Sequence, residues 1–424
     1  MSLLVVFIRF FLFCCYLFFL ESNSIIAHSI NNNTVISNEY KKAMEYLDSI
    51  QDDCSHTKIA IVDIGCNKGC GGGFASQFQL AAMKWMRVFS LQHYQIPVLV
   101  RGKLKGYSDD IPECDHVADN SWTCYFQPSS KCEKKWLAEK VTIVPSSMNM
   151  MDDLVPPEFA HMSVSWWWGV VQHRMFRLQE RVDKIIISRM ASMDNGRGFP
   201  STNTSIIGLH VRHGDKSNDG WKLQSLEDEM KMARLSPDCH LARSNHTRHL
   251  KSIHKGVCLS EEEADANTSE SNNNEDHANA NDAPSVSGLL DDKVYVFVAS
   301  DDRAVLAVSQ GLGHLVDESG VSQQTGTDGM EKYLFNHRSS RFNATLEIIQ
   351  DIYLLSRCST LVGMASSQVF RMAVGLSQAT GALNYAVASD FSELPNIIRM
   401  SWWLRLIVPE PFHSPDGTKI NQFR

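Results

Sequence analysis

A segment of basic and acidic residues, HVRHGDK at 210–216, follows the β-rich run SIIGL and ends a predicted strand. Side chains alternate along a strand, so His210 and Arg212 lie on one side and Val211 on the other. A guanidinium group binds phosphate oxygens through two parallel hydrogen bonds. The segment therefore favours an anionic, phosphate-bearing ligand, and a solvated turn is the alternative interpretation.

Two serines and a glutamine, Ser366-Ser367-Gln368, connect a second predicted strand to a helix. Hydroxyl groups and the free backbone N–H groups of a helix N-terminus together form an anion site. A plain helix cap would place a serine at the same position. The sequence leaves both interpretations open.

Two acidic positions belong to the same half of the chain. Asp301-Asp302 closes the strand DKVYVFVAS, where the second carboxylate can cap the following helix. Metal sites prefer D-x-D spacing, so structural or hydrogen-bonding roles are favoured over a metal. Asp351 lies among apolar residues of a predicted helix. It is either a polar residue at the edge of the apolar stripe or a hydrogen-bond partner of a base amide.

Two further motifs carry weaker signals. The glycine loop Gly69–Gly73 follows a strand and opens a helix, but it matches neither nucleotide-binding fingerprint, so a tight turn and a ligand-facing loop remain equal alternatives. The segment from Cys239 to Cys258 contains four histidines with metal-ligand spacing. A disulfide between its two cysteines is the favoured interpretation.

These residues require an α/β scaffold to position them. KIAIVDIG and IPVLVRG are β-rich runs separated by a helical pattern, which predicts a β–α–β unit with a parallel sheet. Residues 166–190 read as one long amphipathic helix, whose tryptophan triplet is expected in the core. The same alternation returns after residue 204. Two Rossmann-like lobes with a cleft between them are therefore predicted, with ligands at the carboxyl ends of the second lobe's strands.

Composition limits the class of protein. The chain has 424 residues, of which 43% are hydrophobic and 21% charged, which excludes collagen, coiled coils and wholly disordered chains. The net charge is -8, and residues 259–292 hold ten acidic side chains and no Lys or Arg. The remainder is close to neutral, so no basic excess indicates duplex nucleic acid. Residues 259–288 lack apolar clusters, and we expect them to be disordered.

The N-terminus predicts entry into the secretory pathway. Residues 3–20 are apolar apart from Arg9, as in a signal peptide or a signal anchor. Five Asn-x-Ser/Thr sequons and nine cysteines beyond this segment agree with an oxidising lumen. Because nine is odd, at least one thiol stays free, and Cys358 in a helix-like run is the candidate. The predicted sequons are Asn32, Asn203, Asn245, Asn267 and Asn343.

The predicted organisation has five parts. Residues 1–24 form the signal peptide or anchor, and the polar residues 25–52 form a stem or linker. Residues 53–200 form the N-terminal α/β lobe. Residues 201–400 form a nucleotide-sugar-binding Rossmann-like lobe with a disordered insertion at about 259–290, and residues 401–424 form a C-terminal tail.

The order of these motifs resembles the alpha-1,6 core-fucosyltransferase family, which uses GDP-fucose, together with its rhizobial nodulation relatives. The similarity runs from Asp53-Cys54-Ser55 to about Gln378. It is carried by N-K-G-C-G (67–71), F-x-P (126–128), the tryptophan triplet, H-V-R-x-x-D-K (210–216), V-x-x-A-S-D-D (296–302) and D-I-x-x-L-S…S-S-Q-V-x-R (351–371). The resemblance implies a GT-B fold and an inverting, metal-independent transfer from GDP-fucose, with no cofactor.

The resemblance also implies roles for individual residues. His210 and Asp351 would hold guanine, and Asp301 and Asp302 would be an essential acidic pair. The diphosphate would be held by Arg212, Ser366, Ser367 and Gln368. The reaction centre would contain Arg212, Asp215, Lys216 and Asp219, with Asp219 or Asp215 as the base. The family's matching cysteines bridge the segments of Cys54 and Cys132, so this disulfide is predicted.

The chain departs from the family at two positions of the basic motif. His213 stands where the family has a second arginine, and Gly220 stands where an acidic residue is expected. The family's long coiled-coil stem and C-terminal SH3-like domain have no counterpart in the sequence. The resemblance implies core alpha-1,6 fucosylation of an N-glycan, or of another GlcNAc-containing acceptor, in the Golgi lumen. Alternatives are a protein hydroxyl or a different glycan as acceptor, another GDP-sugar as donor, and a non-catalytic glycan- or nucleotide-binding relative.

Overall fold

The computed structural model describes residues 37–64, 73–108, 111–117, 121–139, 142–144, 154–196, 198–200, 204–213, 224–233, 294–317, 334, 337–388 and 412–413. Several predicted features lie outside these ranges: the apolar N-terminal segment, most of the glycine loop, the segment from Cys239 to Cys258 and the acidic insertion. None of the described helices is long and apolar enough to cross a membrane.

The first lobe is built on a parallel sheet with the order β2-β1-β3, where β1 is Lys58–Asp63, β2 is Val98–Arg101 and β3 is Thr142–Val144. Helix α2, Phe74–Leu91, connects β1 to β2 and packs against both strands. The short helix α3, Glu133–Ala138, follows Cys132. The predicted β–α–β unit is confirmed.

Helix α1 differs from the sequence prediction. Residues 37–51 are helical, although the whole of 25–52 was expected to be a stem or linker. Ala43 and Leu47 are fully buried, and Tyr40, Met44 and Ile50 extend the same apolar face. This spacing of three and four residues places one face of the helix against the core, so this part of the chain belongs to the folded lobe.

Among the residues that the structure describes, two disulfides lie in the first lobe. Cys54 is bonded to Cys132, as predicted, and Cys114 is bonded to Cys124. Cys132 is buried in a small cluster with Ile59, Leu99 and Trp136. Cys358 is a buried thiol, as predicted, and its Sγ atom donates to the carbonyl of Leu354 at 3.4 Å.

The long helix predicted over 166–190 is two helices. Helix α4, Val164–Met175, and helix α5, Glu180–Gly196, are separated by a short extended segment. In this break the backbone N–H of Gln127 donates to the carbonyl of Arg177, and that of Gln179 donates to the carbonyl of Tyr125. The prediction was wrong here because hydrogen bonds to a distant segment replace those of the helix. The tryptophan triplet is buried in the core, as expected.

The second lobe contains a five-stranded sheet with the order β5-β4-β6-β7-β8, and every pair in it is parallel. Its strands are β4, Ile206–Val211; β5, Tyr295–Ser300; β6, Thr360–Gly363; β7, Tyr385–Ala388; and β8, Phe412–His413. Its helices are α6, Leu226–Ala233; α7, Arg303–Gly311; α8, Arg341–Leu355; and α9, Gln368–Thr380. Residues 412–413 of the expected C-terminal tail therefore belong to the sheet.

Both faces of the second sheet are covered. On one face, Ile207, Leu209, Val211, Val296 and Val298 form a cluster with residues of α6 and α7. The alternate side chains, among them Phe297 and Ala299, join the large core that includes α8, α9 and the first lobe. Period-two alternation therefore produces a layered α/β fold. Two parallel sheets of this kind confirm the predicted GT-B-like class with two Rossmann-like lobes.

Helices α4 and α9 connect the two lobes by a close backbone approach. A Cβ atom added to Gly169 of α4 would collide with the carbonyl oxygen of Gly375 in α9. Gln79 of α2 adds a second connection, because its Nε2 atom donates to the carbonyl of Gln368 at 2.6 Å. Thr345 of α8 adds a third by donating to the carbonyl of Tyr107 at 3.3 Å.

Candidate functional site

The order of the second sheet indicates where a ligand would bind. From β4 the chain continues to β5 on one side of the sheet, whereas β6 lies on the other side of β4 and leads to β7 and β8. In open parallel sheets, ligands bind outside the carboxyl ends of strands at such a reversal. The sequence places 210–213 at the end of β4, 301–302 directly after β5 and 366–368 after β6. All three predicted motifs therefore lie at one edge of the sheet.

His210 is fixed next to the end of β6. It pairs in register with Gly363, is 5% exposed, and stacks on Phe370 at a centroid distance of 6.3 Å. A Cβ atom on Gly363 would lie 2.7 Å from the Phe370 ring and 3.1 Å from Cβ of His210. A side chain at this position would therefore force the Phe370 ring to shift and would press on the Cβ atom of His210.

Arg212 and Asp301 form an ion pair across adjacent strand ends. Val211 is in register with Ser300, so the residues that follow β4 lie beside the residues that follow β5. One guanidinium nitrogen of Arg212 is 2.5 Å from Oδ2 of Asp301. The other oxygen of Asp301 accepts the backbone N–H of His213 at 3.0 Å. Asp301 thus positions the guanidinium that the sequence assigns to a phosphate.

His213 and Asp302 form a second pair one residue further along. The Nδ1 atom of His213 is 2.8 Å from Oδ2 of Asp302, and its Nε2 atom is 2.9 Å from the carbonyl oxygen of Gln224. Oδ1 of Asp302 accepts the backbone N–H of Ala304 at 2.8 Å and so caps α7. The predicted capping role of Asp302 is confirmed.

Asp351 lies in a strongly acidic environment. Burial raises the pKa of this carboxyl group well above its ordinary value, and the nearby carboxylates of Glu347, Asp317 and Asp301 raise it further. Arg189 of α5 acts in the opposite direction. The interaction with Asp301 indicates that Asp351 faces the candidate site from α8. A group of this kind accepts hydrogen bonds when ionised and donates one when protonated.

The start of α9 carries the two serines. Ser366 and Ser367 are buried, and Ser367 is the N-cap residue of the helix. Its hydroxyl group makes no capping hydrogen bond. The plain-cap interpretation is therefore not supported for Ser367, and the backbone at this helix start is held by Gln79 through the carbonyl of Gln368.

The structure brings together most of the predicted residues that it describes. Asp215, Lys216 and Asp219 lie outside the described ranges, so their predicted roles stay predictions. Among described residues, no group of three His, Cys, Asp or Glu side chains is arranged to hold a metal ion. Sequence reasoning did not identify three partners of the site residues: Phe370, the carbonyl of Gln224 and Asp317.

A cavity of about 890 Å³ lies at the opposite, amino-terminal edge of the second sheet. Thr204, Ser359 and Ala382, which precede β4, β6 and β7, line it together with Arg177 and Arg357. None of the predicted site residues contributes to its wall. The cavity is thus separate from the candidate site at the carboxyl edge.

Solved structures of one enzyme are similar to this chain. The fucosyltransferase NodZ from Bradyrhizobium is 14% identical, with a TM-score of 0.35, over 74% of this chain and 92% of its own. NodZ alpha-1,6-fucosyltransferase co-crystallized with GDP is 14% identical, with a TM-score of 0.33, over 74% of this chain and 91% of its own. The same enzyme soaked with GDP-fucose is 15% identical, with a TM-score of 0.32, over 75% and 92%.

No protein-family model matches the chain, and no curated protein matches it. The resemblance is therefore to solved fucosyltransferase structures, at low identity, over about three quarters of the chain.

Proposed function

We propose that the protein is a fucosyltransferase that transfers fucose from GDP-fucose to a GlcNAc-containing glycan, most specifically to the core of N-glycans through an alpha-1,6 linkage. The observation that carries this proposal is the Arg212–Asp301 pair at the carboxyl end of β4, at the same sheet edge as the serine-rich start of α9. A fixed guanidinium and a helix N-terminus at one strand reversal suit a diphosphate.

The transfer is an inverting displacement. The acceptor hydroxyl oxygen forms a bond to the anomeric carbon of fucose, and the bond from that carbon to the β-phosphate oxygen breaks. A carboxylate, Asp219 or Asp215, accepts the hydroxyl proton, with Lys216 positioning it. Arg212 and the N-terminus of α9 stabilise the charge on the leaving GDP, so the reaction needs no metal in this proposal.

Guanine recognition falls to His210 and Asp351 in this proposal. Guanine presents N–H donors along one edge, and an ionised carboxylate accepts them. The raised pKa of Asp351 fits such a role. Burial and the neighbouring carboxylates disfavour its ionised form, and N–H donors from a bound base would stabilise that form. The stacked, buried ring of His210 would lie beside the base at the same sheet edge.

The proposed location is the Golgi lumen. The N-terminal apolar segment would hold the chain in the membrane as a signal anchor, or release it to secretion if cleaved. The disulfides Cys54–Cys132 and Cys114–Cys124 support an oxidising compartment.

The test is GDP release from GDP-fucose by the purified full chain, with and without an N-glycan acceptor. We expect release that depends on the acceptor, and mass spectrometry of the product will identify the linkage. GDP-mannose serves as the donor control. Binding of GDP without acceptor-dependent release would favour the non-catalytic alternative, and absence of any GDP binding would overturn the proposal.

A further inference from the structure

One of the predicted N-glycosylation sequons lies in the described part of the chain. Asn343-Ala344-Thr345 begins in the first turn of α8, and the middle residue is not proline. The other four sequons lie outside the described ranges, at Asn32, Asn203, Asn245 and Asn267. Asn343 is therefore the candidate glycan acceptor whose surroundings the structure defines.

The side chain of Asn343 has room for a large substituent. Asn343 is exposed whereas its neighbours Phe342 and Ala344 are buried, so the helix directs position 343 to solvent. Side chains of a helix lean toward its N-terminus. On that side lie Ser339, which is exposed, and Ser340, which is half-buried. Both are small, so the fold accommodates a glycan on the amide nitrogen of Asn343.

The hydroxyl group of the same sequon is inside the fold. Thr345 is 0% exposed, and its Oγ1 atom is 2.8 Å from the carbonyl oxygen of Arg341 and 3.3 Å from that of Tyr107. Tyr107 lies in the first lobe, and the hydroxyl of Tyr125 donates to its carbonyl at 2.6 Å. Phe342 stacks on the Tyr125 ring at a centroid distance of 5.6 Å. The start of α8 is thus docked on the first lobe, and docking encloses the Thr345 hydroxyl.

We propose that Asn343 carries an N-linked glycan, attached before α8 docks on the first lobe. The sequon requires a hydroxyl at its third position, so an enclosed Thr345 is not recognised. In the attachment step the amide nitrogen of Asn343 forms a bond to the anomeric carbon of an oligosaccharide. The bond from that carbon to a lipid diphosphate breaks, and the leaving diphosphate takes up one amide proton. This inference rests on the proposed lumenal location and not on the choice of donor.

The order of synthesis leaves time for this attachment. Helix α8 packs on α9, which begins at Gln368 and is made after Asn343. At ~5–20 residues per second, about one to five seconds pass between the synthesis of these two residues. The packing of α8 is incomplete during that interval. Thr345 therefore serves twice, first through its hydroxyl in the sequon and later through the hydrogen bonds of that hydroxyl in the fold.

The experiment uses the full chain expressed in cells that attach N-glycans. Enzymatic release of the glycans in water enriched in the heavy oxygen isotope marks each modified asparagine for peptide mapping. Non-reducing mapping of the Cys54–Cys132 disulfide shows that the chain entered the lumen. We expect the mark at Asn343. An unmodified Asn343 in a chain with this disulfide overturns the proposal, whereas reduced cysteines and no glycan at any sequon overturn the proposed location as well.

Three variants separate the glycan from the fold. Asn343→Gln should lose one glycan and still form the Cys54–Cys132 disulfide, and Thr345→Ser should keep the glycan because it keeps the hydroxyl. Thr345→Val should lose the glycan and also melt at a lower temperature than Asn343→Gln, because the buried hydrogen bonds are lost. An unchanged number of glycans in Asn343→Gln overturns the proposal.

The timing of attachment has its own measurement. Pulse-labelled chains that fold while glycosylation is blocked should stay unmodified at Asn343 after the block is lifted, because Thr345 is then enclosed. Attachment to these folded chains would overturn the proposed order of attachment and docking.

Discussion

The two lobes are stabilised by different kinds of contact. The described part of the first lobe holds two disulfides and a cluster of aromatic rings, where Phe74, Phe78, Trp122, Phe126 and Phe176 meet at centroid distances of 4.5–6.4 Å. The described part of the second lobe has charged pairs at its strand ends and a buried thiol, Cys358.

This difference implies that the first lobe contributes mainly to stability and the carboxyl edge of the second sheet mainly to ligand binding. Covalent and aromatic contacts are largely insensitive to pH and salt, whereas ion pairs and a perturbed carboxyl group respond to both. We therefore expect substitutions in the first lobe to change stability more than donor binding. Substitutions at the carboxyl edge of the second sheet should do the opposite.

Removing the Cys54–Cys132 disulfide gives the largest expected effect on stability. The bond closes a loop with a sequence separation of 78 residues. The chain-entropy model gives a loss of about 4 kcal/mol for the Cys54→Ser/Cys132→Ser protein, against about 3 kcal/mol for the shorter Cys114–Cys124 loop. Thermal and denaturant unfolding will measure both. Equal losses, or a selective loss of GDP affinity in folded protein, would contradict the comparison.

Replacing Arg212 by lysine should mainly affect turnover. An ammonium group does not reproduce a guanidinium that bridges Asp301 and a phosphate, so we expect a loss of about 3 kcal/mol, or two decades in rate. Initial rates with GDP-fucose will measure it. Arg357→Lys is the matched control, because Arg357 lies over the Tyr353 ring at the opposite sheet edge. Similar losses in both variants would refute the assignment of the phosphate to Arg212.

The Gly363→Ala substitution tests whether close packing at the end of β6 affects both stability and GDP binding. The new methyl group would press on Phe370 and His210, at a cost of about 2 kcal/mol in unfolding free energy, together with weaker GDP binding. Gly311→Ala is the control, since nothing lies within 4 Å of its added Cβ atom. Unfolding curves and calorimetry of both variants will show whether the close approach at β6 matters.

The smallest predicted effect is the loss of GDP affinity at acidic pH. Because the pKa of Asp351 is raised, its carboxylate form is lost at a higher pH than for an ordinary Asp, and GDP affinity should fall as pH decreases through that raised pKa. Asp351→Asn should remove this dependence and bind GDP about tenfold more weakly at neutral pH. Calorimetry from about pH 4 to about pH 8 will check it. If GDP affinity of the variant still falls at acidic pH as in the wild-type chain, Asp351 is not the cause of that fall.

The sequence predicts the sheets better than their surroundings. Runs such as YVFVAS and TLVG are short, apolar and bounded by polar residues, and both are strands. Helix α1 was missed because its apolar face is narrow and lies in a polar segment. The break between α4 and α5 depends on hydrogen bonds to Tyr125 and Gln127, which no local pattern encodes.

The same limit applies to the candidate site. Position at a strand end was enough to select Arg212, Asp301 and Asp302, because parallel strands bring their carboxyl ends to one edge. The position of the His213 ring depends on its contact with the carbonyl of Gln224, and a backbone carbonyl has no signature in sequence. The acidity around Asp351 arises from Asp317 and Asp301, which are distant in the chain and meet only through the fold.

The contact between Gly169 and Gly375 has a consequence for engineering. Helix α9 carries the proposed diphosphate-binding end, yet α4 and α2 hold its middle and its first residue. The position of α9 therefore depends on residues from both lobes. A chimera that joins the second lobe to a foreign first lobe would keep the proposed donor-binding motifs but lose the contacts that position α9. The two lobes should therefore be exchanged together.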